Sequence, residues 1–265
     1  MISIGEIFID SPLHRVLTSL SGLVAWRVVR KQELRWLVRL PDSFDAYISS
    51  LRATVKARVL RDARKFERQR PEYRLMHRAE DIEAFVRDAG EVSRRTYQWN
   101  LGYRIRDDQA SREHLAWLAR NGIFRGYVAY LGGKPCAFGW GELNSRTFVF
   151  RATGYDPEHR NLSPGTSLIL HMVRDLIANA DCDVFDFGGG SEDGYKSRLA
   201  TMSRPCARMA AAPIYRPYSM LLAALDVTIN LTKNSVMKAV ETAAAHRQIR
   251  RRLKSVLRPF GVGSY

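Results

Sequence analysis

The most constraining stretch of this chain runs from Ile123 to Gly194. Ile123–Leu131 is β-rich and ends in Gly132-Gly133-Lys134, a hairpin signal. Cys136–Leu143 and Arg146–Thr153 extend the meander through Asn144-Ser145. A loop, Tyr155–Pro164, then leads into an apolar helical stretch from Gly165 to about Ala180. Asp183–Phe187 follows as a short strand, and Gly188–Gly194 as a glycine-rich loop. A strand, loop, helix, strand succession is a crossover, and a crossover joins parallel strands. The expected fold is therefore α/β in the α+β sense: a mixed, mostly antiparallel twisted sheet flanked by helices.

The flanks fill in around that centre. Leu23–Val29 and Leu34–Leu40 are apolar runs on either side of Arg30–Glu33, and predict a hairpin. Pro41-Asp42-Ser43 punctuates the chain, and apolar spacing then predicts one helix from Phe44 to Arg70. Tyr73–His77 reads as a strand, Ala79–Tyr97 and Ser111–Arg120 as helices, and Ala207–Tyr215 as a last strand. From Tyr218 to Leu257 the pattern is helical again. The expected organisation is an N-terminal segment 1–41 with a hairpin, a domain over 42–215, and a basic helical extension over 216–265.

Charge is the next constraint. The net charge is +15, with 46% hydrophobic residues, so the chain can bury a core and its partners should be anionic. The excess is not spread evenly. Residues 14–39, 52–70 and 232–265 carry +5, +6 and +7, which leaves −3 for everything else. The body is nearly neutral and wears three basic segments. His246–Arg258, with Ile249, Leu253, Val256 and Leu257 among six Lys/Arg, reads as an amphipathic helix for an anionic membrane surface. Nucleic acid is the weaker candidate partner.

Glu6 and Asp10 precede the first apolar run, and no uncharged run reaches spanning length, so neither a secretory signal nor a transmembrane helix is expected. Cys136, Cys182 and Cys206 have no CxxC spacing and read as buried thiols of a reducing compartment, with no metal site. The expected location is cytoplasmic, with peripheral contact at the inner face of the membrane.

Two segments carry chemistry. In Arg160-Asn161-Leu162-Ser163-Pro164-Gly165-Thr166 a helix begins, with Ser163 as N-cap and Pro164 at its first position. Free N–H groups there bind phosphate, Gly165 permits close approach, and Thr166 and Arg160 add donors. In Val184–Gly190 a strand ends in glycines, followed by Asp193-Gly194-Tyr195-Lys196. Ligands of α/β sheets bind at such carboxyl ends. Lys196 is placed to neutralise developing charge and Tyr195 to donate a proton.

Together these segments resemble the CelD-like, cellulose-biosynthesis branch of the GNAT acetyltransferase superfamily, to which Fem-type aminoacyltransferases are related. The resemblance covers roughly Pro41 to Arg208. It implies acetyl-CoA or another acyl-CoA as cosubstrate, with its pyrophosphate on Arg160, Ser163, Pro164, Gly165 and Thr166. Where the superfamily pattern carries a middle glycine, this chain has Ser163. The resemblance also places a charge-neutralising role on Lys196. The strand ending at Thr153 would lie beside the CoA arm, and an acceptor amine or hydroxyl would attack the thioester directly. Asp186 and Glu142 are the candidate bases, and Tyr97 and Trp99 the candidate acceptor-pocket walls. The expected activity is N- or O-acyl transfer to a small molecule or a glycan- or lipid-linked precursor of the envelope or an exopolysaccharide. Two alternatives stay open: a Fem-like transferase using aminoacyl-tRNA, and a non-catalytic GNAT module.

Overall fold

The structure, a computed structural model, describes residues 2–19, 28–96, 105, 107–190, 192 and 194–211. It divides into two compact units, one from Glu33 to Pro205 and one joining Met1–Gln32 with Cys206–Tyr265. In the second unit, β1 (Ile2–Phe8) pairs antiparallel with β8 (Met202–Ala211), from Ile2 opposite Ala211 to Phe8 opposite Cys206. Helix α1 (Pro12–Ser19) follows β1, and the Ser11 hydroxyl accepts the His14 N–H at its start. The expected helical extension over 216–265, with its basic stretch 246–258, lies outside the described residues.

The larger unit is a sheet between two helical layers. Its strands are β2 (Val28–Arg39, through residues 33–39), β3 (Glu72–Met76), β4 (Phe124–Leu131), β5 (Lys134–Asn144), β6 (Thr147–Tyr155) and β7 (Val184–Gly189). Their order is β2-β7-β6-β5-β4-β3. All neighbours are antiparallel except β6 and β7, which the crossover makes parallel. Gly132 and Gly133, at φ +56 and +76, form the two-residue turn that joins β4 to β5.

Period-two alternation sorts the side chains onto two faces. Helices α2 (Phe44–Ser50), α3 (Ala53–Glu67) and α6 (Pro164–Asn179) cover a core that includes Tyr47, Phe66, Phe148, Met172, Phe185 and Phe187. Helices α4 (Ile82–Arg95) and α5 (Gln109–Arg120) cover a second core around Phe85, Val92, Phe124, Val128 and Phe138. A short helix, α7 (Tyr195–Leu199), precedes β8.

Several expectations are corrected. The hairpin about Arg30–Glu33 does not form: β2 is one strand through those residues. None of the four is Gly, Asn or Pro and none takes a positive φ, so nothing reverses the chain. The single helix Phe44–Arg70 is two. Leu51 takes an extended conformation (φ −74, ψ 147) and is buried, so the core claims its side chain and breaks the helix. The last strand starts at Met202 rather than Ala207, and β7 takes in Gly188 and Gly189, expected as loop. All three cysteines are free and buried. Burial pushes the Cys136 thiol up to about 12 and the Cys182 thiol up to about 11.

Candidate active site: the wedge between β6 and β7

Parallel strands joined by a crossover usually pair along their length. Here Thr147, Phe148 and Val149 pair with Val184, Phe185 and Asp186, and the pairing ends there. Residues 150–155 of β6 and 187–189 of β7 continue as strand without pairing to each other. The two strands therefore open a wedge toward their carboxyl ends.

Local chemistry explains why they part. On β6, Ala152 pairs with Trp140 and Phe150 with Gly141, so Arg151 is an extra residue, a β-bulge. On β7, Asp186 pairs with Leu37 and Gly188 with Trp36, so Phe187 is extra. Gly188 has φ +77, and its N–H donates to Asp186 Oδ1 at 2.7 Å. Arg35 Nε donates to Asp186 Oδ2 at 2.6 Å, and Asp186 is 4% exposed. Both oxygens of this carboxylate are held, and they hold the bend.

The carboxyl end of β7 is gripped from two sides. The Trp36 indole N–H donates to Gly190 O at 3.1 Å. Lys196 Nζ donates to Gly189 O at 2.9 Å, and a Cβ on Gly190 would lie 3.3 Å from Lys196 Cδ. Lys196 thus lies across the glycines at the wedge mouth. The ring of Tyr195 packs edge-on against Phe187, centroids 6.4 Å apart.

The other lip leads into α6. Asp156 follows β6, is 1% exposed, and accepts the Glu158 N–H at 3.0 Å and Arg95 Nη1 at 2.6 Å. Burial raises its pKa, but the Glu158 N–H and the Arg95 guanidinium outweigh that and hold it below the usual carboxylate value. A 3-10 turn, Pro157–Leu162, then presents Arg160 to solvent.

Ser163 precedes α6, but not as a side-chain cap: it stands at φ +56 with no cap hydrogen bond. Its carbonyl accepts the N–H groups of Thr166 at 3.1 Å and Ser167 at 3.2 Å. Pro164 has no N–H, so Gly165 supplies the first-turn amide outside those bonds. A Cβ on Gly165 would lie 3.2 Å from the Tyr155 ring, so a larger residue would displace that ring.

Thr153 donates its hydroxyl to Phe138 O at 2.8 Å, which ties β6 to β5. Glu142 on β5 receives Arg151 Nε and Nη2 at 2.8 and 2.6 Å, a bidentate pair at the bulge. Tyr97 and Trp99 lie outside the described residues. The sequence reading did not single out Arg35, Trp36, Arg151 or Asp156. Only Asp156 carried a local signal, an Asp-Pro step after a strand.

Among the described residues, no group of three or more His, Cys, Asp or Glu could hold a metal ion. No helix there is long and apolar enough to cross a membrane.

No curated protein matches the sequence significantly. Among solved structures, FemX is 10% identical over 83% of this chain and 73% of its own, with a TM-score of 0.59. The C-terminal DUF2156 domain of a protein described as a lysylphosphatidylglycerol synthetase, from Agrobacterium fabrum, is 13% identical over 86% and 72%, with a TM-score of 0.57. L-PGS from Bacillus licheniformis is 11% identical over 84% and 71%, with a TM-score of 0.52. At these identities the likeness is one of fold. The acetyltransferase (GNAT) domain matches residues 53–197, which include the meander, the wedge, the α6 start and Lys196. The chain belongs to the GNAT acetyltransferase domain family and is an acyltransferase.

Proposed function

We propose that the protein transfers an acyl group from acyl-CoA to an amine or hydroxyl of an envelope or exopolysaccharide precursor, as a CelD-like member of its family. One observation carries this reading: β6 and β7 stop pairing at Val149 and Asp186 and open beside the start of α6. An extended pantetheine-like arm fits such a gap, because residues 150–155 offer backbone groups that β7 does not use. The residues at the α6 start fit a pyrophosphate: the Gly165 amide, the Thr166 hydroxyl, the Ser163 hydroxyl and the exposed Arg160. A bound CoA thioester supplies the activated acyl group.

The chain's own residues then orient and polarise. Direct attack by the acceptor needs no enzyme nucleophile. Asp186 braces the bend of β7 through Arg35 and the Gly188 N–H. Glu142, at the rim beside the bulge, is the carboxylate better placed to take the acceptor's proton once Arg151 yields it. Lys196 carries positive charge to the wedge mouth, and Tyr195 supports it. Tyr97 and Trp99 are retained as acceptor-pocket walls, and the basic stretch 246–258 as a peripheral membrane contact.

A thermal-shift titration tests the reading. Acetyl-CoA or a longer acyl-CoA should stabilise the protein; at a hundredfold excess over Kd the gain is about 2.7 kcal/mol. Gly165→Trp should abolish the shift while leaving the ligand-free melting temperature within a few degrees. Stabilisation by tRNA and not by any acyl-CoA would replace this reading with the Fem-like one. No response to either would leave a non-catalytic module.

A further inference from the structure

One strongly charged surface lies outside the wedge. Helix α3 buries Val55, Val59 and Phe66 against the sheet and α6. At 100° per residue, Arg58, Arg61, Arg64, Lys65 and Arg68 fall within an arc of about 120° on the opposite side. All five are exposed, Arg58 by 60% and Arg61 by 76% of their side chains. Among the described residues, the one carboxylate within ion-pair distance of the arc is Asp62, 3.8 Å from both Arg58 and Arg61. Arg64, Lys65 and Arg68 have no acidic partner among the described residues. The remaining positions on the arc, Thr54 and Ala57, are small.

We infer that this face of α3 docks the protein onto an anionic lipid bilayer. The stripe runs about 15 Å along one helix, and its i,i+3 and i,i+4 spacing sets neighbouring Cβ atoms about 6 Å apart. That is a flat, shallow array of phosphate-binding groups, which suits a plane of headgroups. The apolar side of α3 is already buried in the protein, so contact is electrostatic and at the headgroup level, without insertion. The arc carries no aromatic side chain on which an unpaired base could stack, and single-stranded nucleic acid recognition relies on such platforms. Docking by α3 rests on the envelope part of the proposed function, because an acyltransferase acting on a lipid-linked acceptor must meet it at the bilayer surface.

The test is co-sedimentation of the full chain with vesicles of phosphatidylglycerol and phosphatidylcholine at low and physiological salt. The triple variant Arg61→Gln, Lys65→Gln, Arg68→Gln should bind about 100-fold more weakly, about fivefold per charge removed. Wild-type binding should weaken with added salt. A control triple variant, Arg78→Gln, Arg120→Gln, Lys134→Gln, removes the same charge from elsewhere in the larger unit and should bind nearly as wild type. Both variants should keep their acyl-CoA thermal shift, which separates this proposal from the catalytic reading. Equal loss in the two triples, or none in the α3 triple, overturns the proposal. So does a weakened acyl-CoA shift in the α3 triple, which would give the arc to the cosubstrate. Tighter binding of duplex RNA than of vesicles, lost in the same variant, would make it a nucleic-acid surface instead.

Discussion

Ser163 shows how one side chain can depart from a family pattern while the backbone keeps it. At φ +56 it occupies the left-handed region that glycine enters freely and other L-residues enter at a cost of about 1–2 kcal/mol. A glycine at this place, as in the pattern the chain resembles, would enter that region freely; serine enters it under strain. Ser163→Gly should relieve more strain than it adds in unfolded-chain freedom, and raise the melting temperature by about 2 °C. A scan showing no rise, or a fall, would mean that the serine hydroxyl holds the loop. Lys196 poses the complementary question. Its ammonium grips Gly189 O, so it is part of the frame as well as a cation at the wedge mouth. If it also neutralises reaction charge, Lys196→Ala should lower kcat about 10²-fold with little change in KM for acyl-CoA. Parallel losses in kcat and in acyl-CoA affinity would reduce it to a clamp.

Among the elements, the joint between β6 and α6 is where stability and site meet. Asp156 ties the end of β6 to the Arg95 end of α4 and caps the 3-10 turn that presents Arg160. Its carboxyl is held below the usual value in the folded protein. Its contribution is therefore complete above the unfolded carboxyl pKa of about 3.9, and is lost as pH falls through the lower folded value. Asp156→Asn should cost about 1–2 kcal/mol at neutral pH, discounted because Arg95 is nearly half exposed. In urea titrations from pH 7 to pH 2, the gap between wild type and variant should close below about pH 4. A gap that stays constant would show that the charge contributes nothing there. The broken helix at Leu51 belongs to this scale too. Helical periodicity continues through it, but a leucine that must enter the core ends α2 and lets α3 start on a new axis.

Across the whole molecule, a near-neutral acyltransferase body carries its excess charge on defined segments. On α3 that charge lies along one exposed arc, on the side of the helix away from the core that covers the wedge's sheet. β1, α1, α7, the unbroken β2 and the split of α2 from α3 were not legible in residue order, whereas the meander, the crossover and the α6 start were. Those features follow from period-two and period-3.6 patterning and from turn residues, which act over a few neighbours. The wedge was not legible, because it depends on where pairing between β6 and β7 stops and on two bulges that only a partner strand defines. The pairing of Arg35 with Asp186 joins residues 151 positions apart, and no spacing rule announces it. Glu142 and Asp186 read in sequence as free carboxylates available as bases; the fold hands each a guanidinium. The sequence by itself determined the meander, the crossover and the start of α6, because local periodicity and turn chemistry suffice for those, and its two motifs carried the family resemblance. Only the tertiary structure decided that Asp186 and Glu142 are each held by a guanidinium, and that the sheet opens between β6 and β7, because ion partners and strand register are set by residues far apart in the chain.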